Sequence, residues 1–124
     1  MKYRLWASRT AGGLAAVFLF IDAFGKVVKV PQVIKASSEL GFAEPVLPAL
    51  GAVLAACTLI YLVPRTEVFG AILLTGYLGG AVVSHVRVGA SAFPVLFPVM
   101  MATLVWGGIW LRDAQLRSVV PLRN

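Results

Sequence analysis

The chain has 124 residues, 60% of them hydrophobic and 13% charged, with a mean hydropathy of +0.90. A soluble domain is about half apolar and about a quarter charged, and a chain this short leaves too much of its area in water to cover such an excess. Lipid is therefore its solvent, and an enzyme built on a soluble domain is excluded. The formal charge of +6, eleven basic residues against five acidic, sits at the edges of apolar runs and forms no continuous basic face; it reads as topology and lipid contact, with nucleic acid excluded as a partner.

In chain order, Lys2 and Arg4 precede an apolar stretch that has the outline of a secretory signal. The run is too long for one, and it meets charges at Asp22 and Lys26, so it reads as a retained helix. Four stretches approach or reach the ~20 residues that cross ~30 Å of hydrocarbon, at about 5–24, 46–63, 68–86 and 93–111. They are continuous apolar runs without the alternation of a barrel strand, which leaves helices as the form that satisfies its own backbone in lipid. Between the first two, at about 31–41, Pro31 suits a first helical turn and Gly41 a stop, and Val33, Ile34, Ser37 and Leu40 share a face; this predicts a short amphipathic helix at the membrane surface or over the mouth of the bundle. The fold expected is all-α, a four-transmembrane-helix bundle forming a single domain over residues 1–124.

Four spans put both termini and the turn at Arg65 on one side. Lys2, Arg4, Arg9, Arg65, Arg112, Arg117 and Arg123 lie there, against Lys26, Lys29, Lys35 and Arg87 on the other, which predicts cytoplasmic termini. Trp6, Trp106, Trp110, Tyr3 and Tyr61 fall at the same end, as an aromatic belt would. Arg9 is expected to snorkel to that interface, Glu67 to sit at the positive end of the third span, and Asp113 to mark the end of the last helix. Gly76, Gly80 and Ser84 recur at four-residue spacing in the third span, and Gly12 and Ala16 in the first, as stripes for close helix packing.

The ionisable residues in or beside the spans are costly to insert and invite a functional reading. Asp22 and Lys26 are four apart, acid before base, in the order that favours a helical ion pair. Tyr77 and His85 share a face of the third span two turns apart, with Arg87 just beyond. A planar carbonyl ligand such as a quinone would find hydrogen-bond donors there and ring walls in Phe93 and Phe97. The alternative is that Asp22, Lys26, His85 and Arg87 pair with each other and with lipid phosphates. One histidine without an acidic cluster is a poor metal site, so no metal is expected. Cys57 is alone in an apolar run, which leaves no intrachain disulfide, CxxC pair or thiolate cluster. Phosphate loops, HExxH and GxSxG are absent, and no catalytic residue is assigned.

Several stretches together resemble the DoxX-like family of bacterial membrane proteins: Phe20-Ile21-Asp22-Ala23-Phe24-Gly25-Lys26, Leu40-Gly41-Phe42, Leu62-Val63-Pro64-Arg65-Thr66, Gly76-Tyr77-Leu78-Gly79-Gly80-Ala81, Ser84-His85-Val86-Arg87-Val88-Gly89 and Trp110-Leu111-Arg112-Asp113. Ser84 stands where a threonine is expected and keeps the hydroxyl. The resemblance implies a four-helix fold in the bacterial inner membrane and association with quinone-linked oxidoreductase systems, such as those of thiosulfate oxidation. Two functions are expected from it. One is a small oxidoreductase subunit binding a quinone or lipid near His85, Arg87, Tyr77, Asp22 and Lys26, with no covalent cofactor. The other is a non-catalytic assembly protein that docks a membrane partner or a second copy of itself. A transporter would need paired broken helices and buried carboxylates that the spans lack.

Overall fold

The computed structural model describes residues 2–123, with the Lys2 side chain outside the described part. The chain folds into α1 (Lys2–Val28), α2 (Pro31–Glu39), α3 (Leu47–Leu62), α4 (Glu67–Arg87), α5 (Ala92–Arg112) and α6 (Ala114–Val119), with no strand among the described residues. Single 3-10 turns at Glu44–Val46 and Pro64–Thr66 lead into α3 and α4. α1, α3, α4 and α5 are each long and apolar enough to cross a membrane, and they coincide with the four predicted spans. α1 runs four residues past its predicted end, and Lys26 reaches back to Asp22 within it, so the two charges neutralise each other inside the helix.

The four long helices form an up-down bundle in which α1 and α4 each pack against α3 and α5, leaving α1 and α4 diagonally opposed. The core is lined by Ala15, Leu19 and Ala23 of α1, Leu54 and Cys57 of α3, Ala71, Leu74 and Leu78 of α4, and Met101, Val105 and Ile109 of α5. Larger residues such as Phe18, Ile21, Phe24, Leu59, Phe69, Ile72 and Leu96 point outward. In water such a surface would drive aggregation; in lipid it costs nothing, and the small inner face of α1 lets the helices approach. Hydroxyls at depth are satisfied locally: Thr58, Thr75, Ser84 and Thr103 each donate to the carbonyl four residues back, as a medium without water requires.

Close packing falls on different glycines from those expected. A side chain at Gly70 would overlap the backbone of Tyr61, and one at Gly51 would stand 2.6 Å from the Ala23 carbonyl oxygen. The Gly12 and Ala16 stripe is buried as predicted. Gly76 and Gly80, however, are exposed, with no atom within 4 Å of where a side chain would start, and the Ser84 hydroxyl bonds within its own helix. The expected packing stripe thus faces out of the bundle, because the inner face of α4 is set by Ala71, Leu74 and Leu78.

α2 lies across the end opposite the termini. Pro31 occupies its first turn and Gly41, at φ +90°, follows its stop. The face predicted as apolar turns inward: Ser37 is buried, and Val33 packs against Gly25 of α1. α6 is an element the sequence reading missed. Asp113 does not simply end α5; its Oδ1 accepts from the N–H groups of Gln115 (2.9 Å) and Leu116 (3.2 Å), capping a new helix that seats Leu116 on the core.

Candidate functional site

Of the residues singled out in the sequence, Asp22 and Lys26 form the expected ion pair, with Lys26 largely buried and Asp22 half exposed. Tyr77 is half-buried and packs on the core from α4. Its hydroxyl makes no hydrogen bond with another described residue. Next to this region, Phe97 meets Phe18 edge-on at 6.1 Å and Phe93 at 5.8 Å between ring centroids, so α1 and α5 supply an aromatic wall.

His85 and Arg87 stand apart from this group. Eight residues of helix separate Tyr77 from His85, about 12 Å, more than one quinone ring spans. His85 Nδ1 lies 2.8 Å from the Ala81 carbonyl oxygen of its own helix. A carbonyl only accepts, so Nδ1 carries a proton, and Nε2 is the acceptor in the tautomer that this bond selects. The Arg87 guanidinium donates to the Leu40 carbonyl at the end of α2. It anchors the covering helix and does not point at Tyr77. Among the described residues no three His, Cys, Asp or Glu side chains gather as a metal site would need.

The opposite end, which carries both termini, holds a polar network that the sequence did not reveal. Ser8 is fully buried; its Oγ donates to the Gly108 carbonyl (2.5 Å) and accepts from Arg112 Nη1 (2.7 Å), while Arg112 Nη2 pairs with Glu67 Oε2 at 2.5 Å. α1, α4 and α5 are thereby tied at one level. Glu67 does open α4, as predicted, but its partner lies 45 residues away. Tyr61 was expected in the aromatic belt; it is 2% exposed, and its hydroxyl donates to the Val105 carbonyl at 2.9 Å. Trp106 is partly buried against the core, and its Nε1 donates to Thr75 Oγ1 at 2.6 Å at the bundle surface, whereas Tyr3 and Trp6 are exposed as a belt requires. Two cavities open at this end, of about 680 and 210 Å³, and Arg9, Leu62 and Arg112 line both.

No curated protein and no solved structure matches the chain significantly. The family model that matches is that of the DoxX-like family, over residues 10–108, a stretch that takes in the whole of α2, α3 and α4, most of α1 and α5, and every one of the residues Asp22, Lys26, Tyr77, His85 and Arg87.

Proposed function

Because the chain belongs to the DoxX-like family and is a multi-pass membrane protein, we propose that it is a small subunit of a quinone-linked oxidoreductase. Its ligand is a quinone or a similar planar carbonyl lipid, taken up in the half of the bundle away from the termini. The observation that carries this reading is the Tyr77 hydroxyl, a half-buried donor inside a span without a protein partner among the described residues. A lone donor in hydrocarbon costs free energy until an acceptor reaches it, and a membrane-borne carbonyl is such an acceptor.

A quinone supplies a carrier for two electrons and two protons. The chain's own groups bind and orient it. Tyr77 donates to a carbonyl oxygen, and Lys26 keeps two N–H donors beyond the one engaged by Asp22. Phe18, Phe93 and Phe97 offer apolar faces to a ring. Nearer the α2 end, His85 Nε2 can accept a proton from a hydroxyl, and Arg87 acts as a positioning residue by holding α2 over the mouth. A bacterial inner-membrane location with both termini cytoplasmic is supported by seven basic residues at the terminal end against four at the other.

The test is quinone-dependent thermal stabilisation of the purified protein with a short-chain benzoquinone. Tyr77→Phe keeps the ring and removes the hydroxyl; it is expected to weaken binding about tenfold, the value of one hydrogen bond in a dry site, while His85→Ala, about 12 Å farther along α4, is expected to change it little. Equal stabilisation of native protein and Tyr77→Phe would count against the reading.

A second reading, a non-catalytic assembly protein, is favoured by one observation: the outward-facing Gly76 and Gly80 offer α4 a flat surface for another membrane helix, from a partner or a second copy. Loss of a crosslinked partner on Gly80→Leu, with Tyr77→Phe silent, would select it.

A further inference from the structure

The cavities at the terminal end lie outside the site proposed above. The larger is lined by Leu5, Arg9, Leu62, Glu67, Arg112 and Asp113, among others. The smaller adjoins it and runs along α1 past Gly12 and Gly13 to Tyr61. The charges in the larger cavity are not equivalent. Glu67 is held by Arg112, Arg112 also by Ser8, and Asp113 by the backbone of α6. Arg9 is exposed and makes no hydrogen bond or ion pair with another described residue.

The surrounding field decides what Arg9 takes. This end carries seven basic residues against Glu67 and Asp113, whereas the other carries four against Asp22, Glu39 and Glu44. The terminal end is therefore the anion-attracting face. One turn deeper than Arg9, Gly12 and Gly13 line the smaller cavity, with no atom within 4 Å of where a Gly13 side chain would start, so this recess is open along α1, and Leu5 and Leu62 beside it are exposed. A cation at headgroup depth continued by an apolar groove matches an amphiphile with a phosphate at one end and a hydrocarbon chain at the other.

We propose that an anionic glycerophospholipid binds here, its phosphate on Arg9 at the larger cavity and one acyl chain along the Gly12–Gly13 groove. The guanidinium donates charge-assisted hydrogen bonds to phosphate oxygens, and the groove receives a chain that a side chain at residue 13 would displace.

Native mass spectrometry of the full chain with phosphatidylglycerol, acyl-matched phosphatidylethanolamine or inorganic phosphate tests this. The native protein is expected to retain phosphatidylglycerol about fivefold more strongly than phosphatidylethanolamine. Arg9→Gln is expected to lower phosphatidylglycerol retention about tenfold. Gly13→Leu should lower it without a change of charge, and Lys35→Gln, on α2, should leave it unchanged. Undiminished retention by both Arg9→Gln and Gly13→Leu, or equal retention of the two lipids by native protein, overturns the proposal. Displacement of phosphatidylglycerol by millimolar inorganic phosphate would make the occupant a free anion and overturn the lipid assignment. Should Arg9→Gln fail to fold, Gly13→Leu alone decides.

Discussion

Gly70→Leu is expected to prevent stable folding, while Gly76→Leu, six residues along the same helix, is expected not to destabilise the fold. At Gly70 the added Cβ would overlap the Tyr61 backbone where α3 turns into α4, and that backbone is held in place by the Tyr61 hydroxyl on Val105. Neither helix can retreat without breaking this contact, so the cost is about 4 kcal/mol or more. That exceeds the roughly 1 kcal/mol gained by removing a glycine from a helix. At Gly76 the side chain would enter open space, so nothing opposes that gain and the change is expected to lie between neutral and a stabilisation of about 1 kcal/mol. Thermal or SDS unfolding in detergent measures both; similar losses at the two positions would contradict the packing described.

Arg112→Leu is the second large effect, about 2 kcal/mol. It leaves the Glu67 carboxylate without its cation in a partly dry setting and removes a donor from the buried Ser8 hydroxyl. The figure sits below the 3–5 kcal/mol of a fully buried broken pair because the Arg112 side chain keeps 30% of its surface exposed. Arg112→Lys is expected to recover less than half of the loss. A guanidinium places Nη1 on Ser8 and Gly108 and Nη2 on Glu67 at once, and a single ammonium cannot bridge both. Unfolding titrations of the two variants, with Glu67→Gln as the milder comparison, check the order; full rescue by lysine would mean that charge alone matters there.

The spans were legible because continuous apolar runs of membrane length leave the backbone one solution. The short helix over the mouth was legible because Pro31 and Gly41 punctuate an amphipathic face. What a single sequence hides is which face of a uniformly apolar helix turns inward. Periodicity shows that Gly76, Gly80 and Ser84 share a face, but α3, α4 and α5 are apolar all round, so nothing local tells core from lipid. Gly70 and Gly51, which make the close approaches, stand in no such repeat. Tyr61 failed for the same reason: an aromatic near a span end fits a belt or a core equally well until its neighbours are known.

The polar residues divide similarly. Asp22 and Lys26 were legible as a pair because four residues of helix bring them together. The tie between Ser8, Glu67 and Arg112 joins residues far apart in the chain, and no local spacing announces it; Glu67 and Arg112 were legible only as charges at one end of the bundle. Arg87 was legible as a charge at the end of a span but not as the anchor of α2, since its acceptor is a backbone carbonyl.

The most direct test of the central claim, a quinone held at Tyr77 in the half of the bundle opposite the termini, is photolabelling in bilayers with an azidoquinone followed by peptide mapping. The account predicts labels on α1 between Phe18 and Lys26, on α4 around Tyr77 and on α5 around Phe97, reduced by excess unlabelled quinone and by Tyr77→Phe. Labels confined to the Arg9 and Gly13 end, or spread evenly over the lipid-facing residues and unmoved by competition, would contradict it.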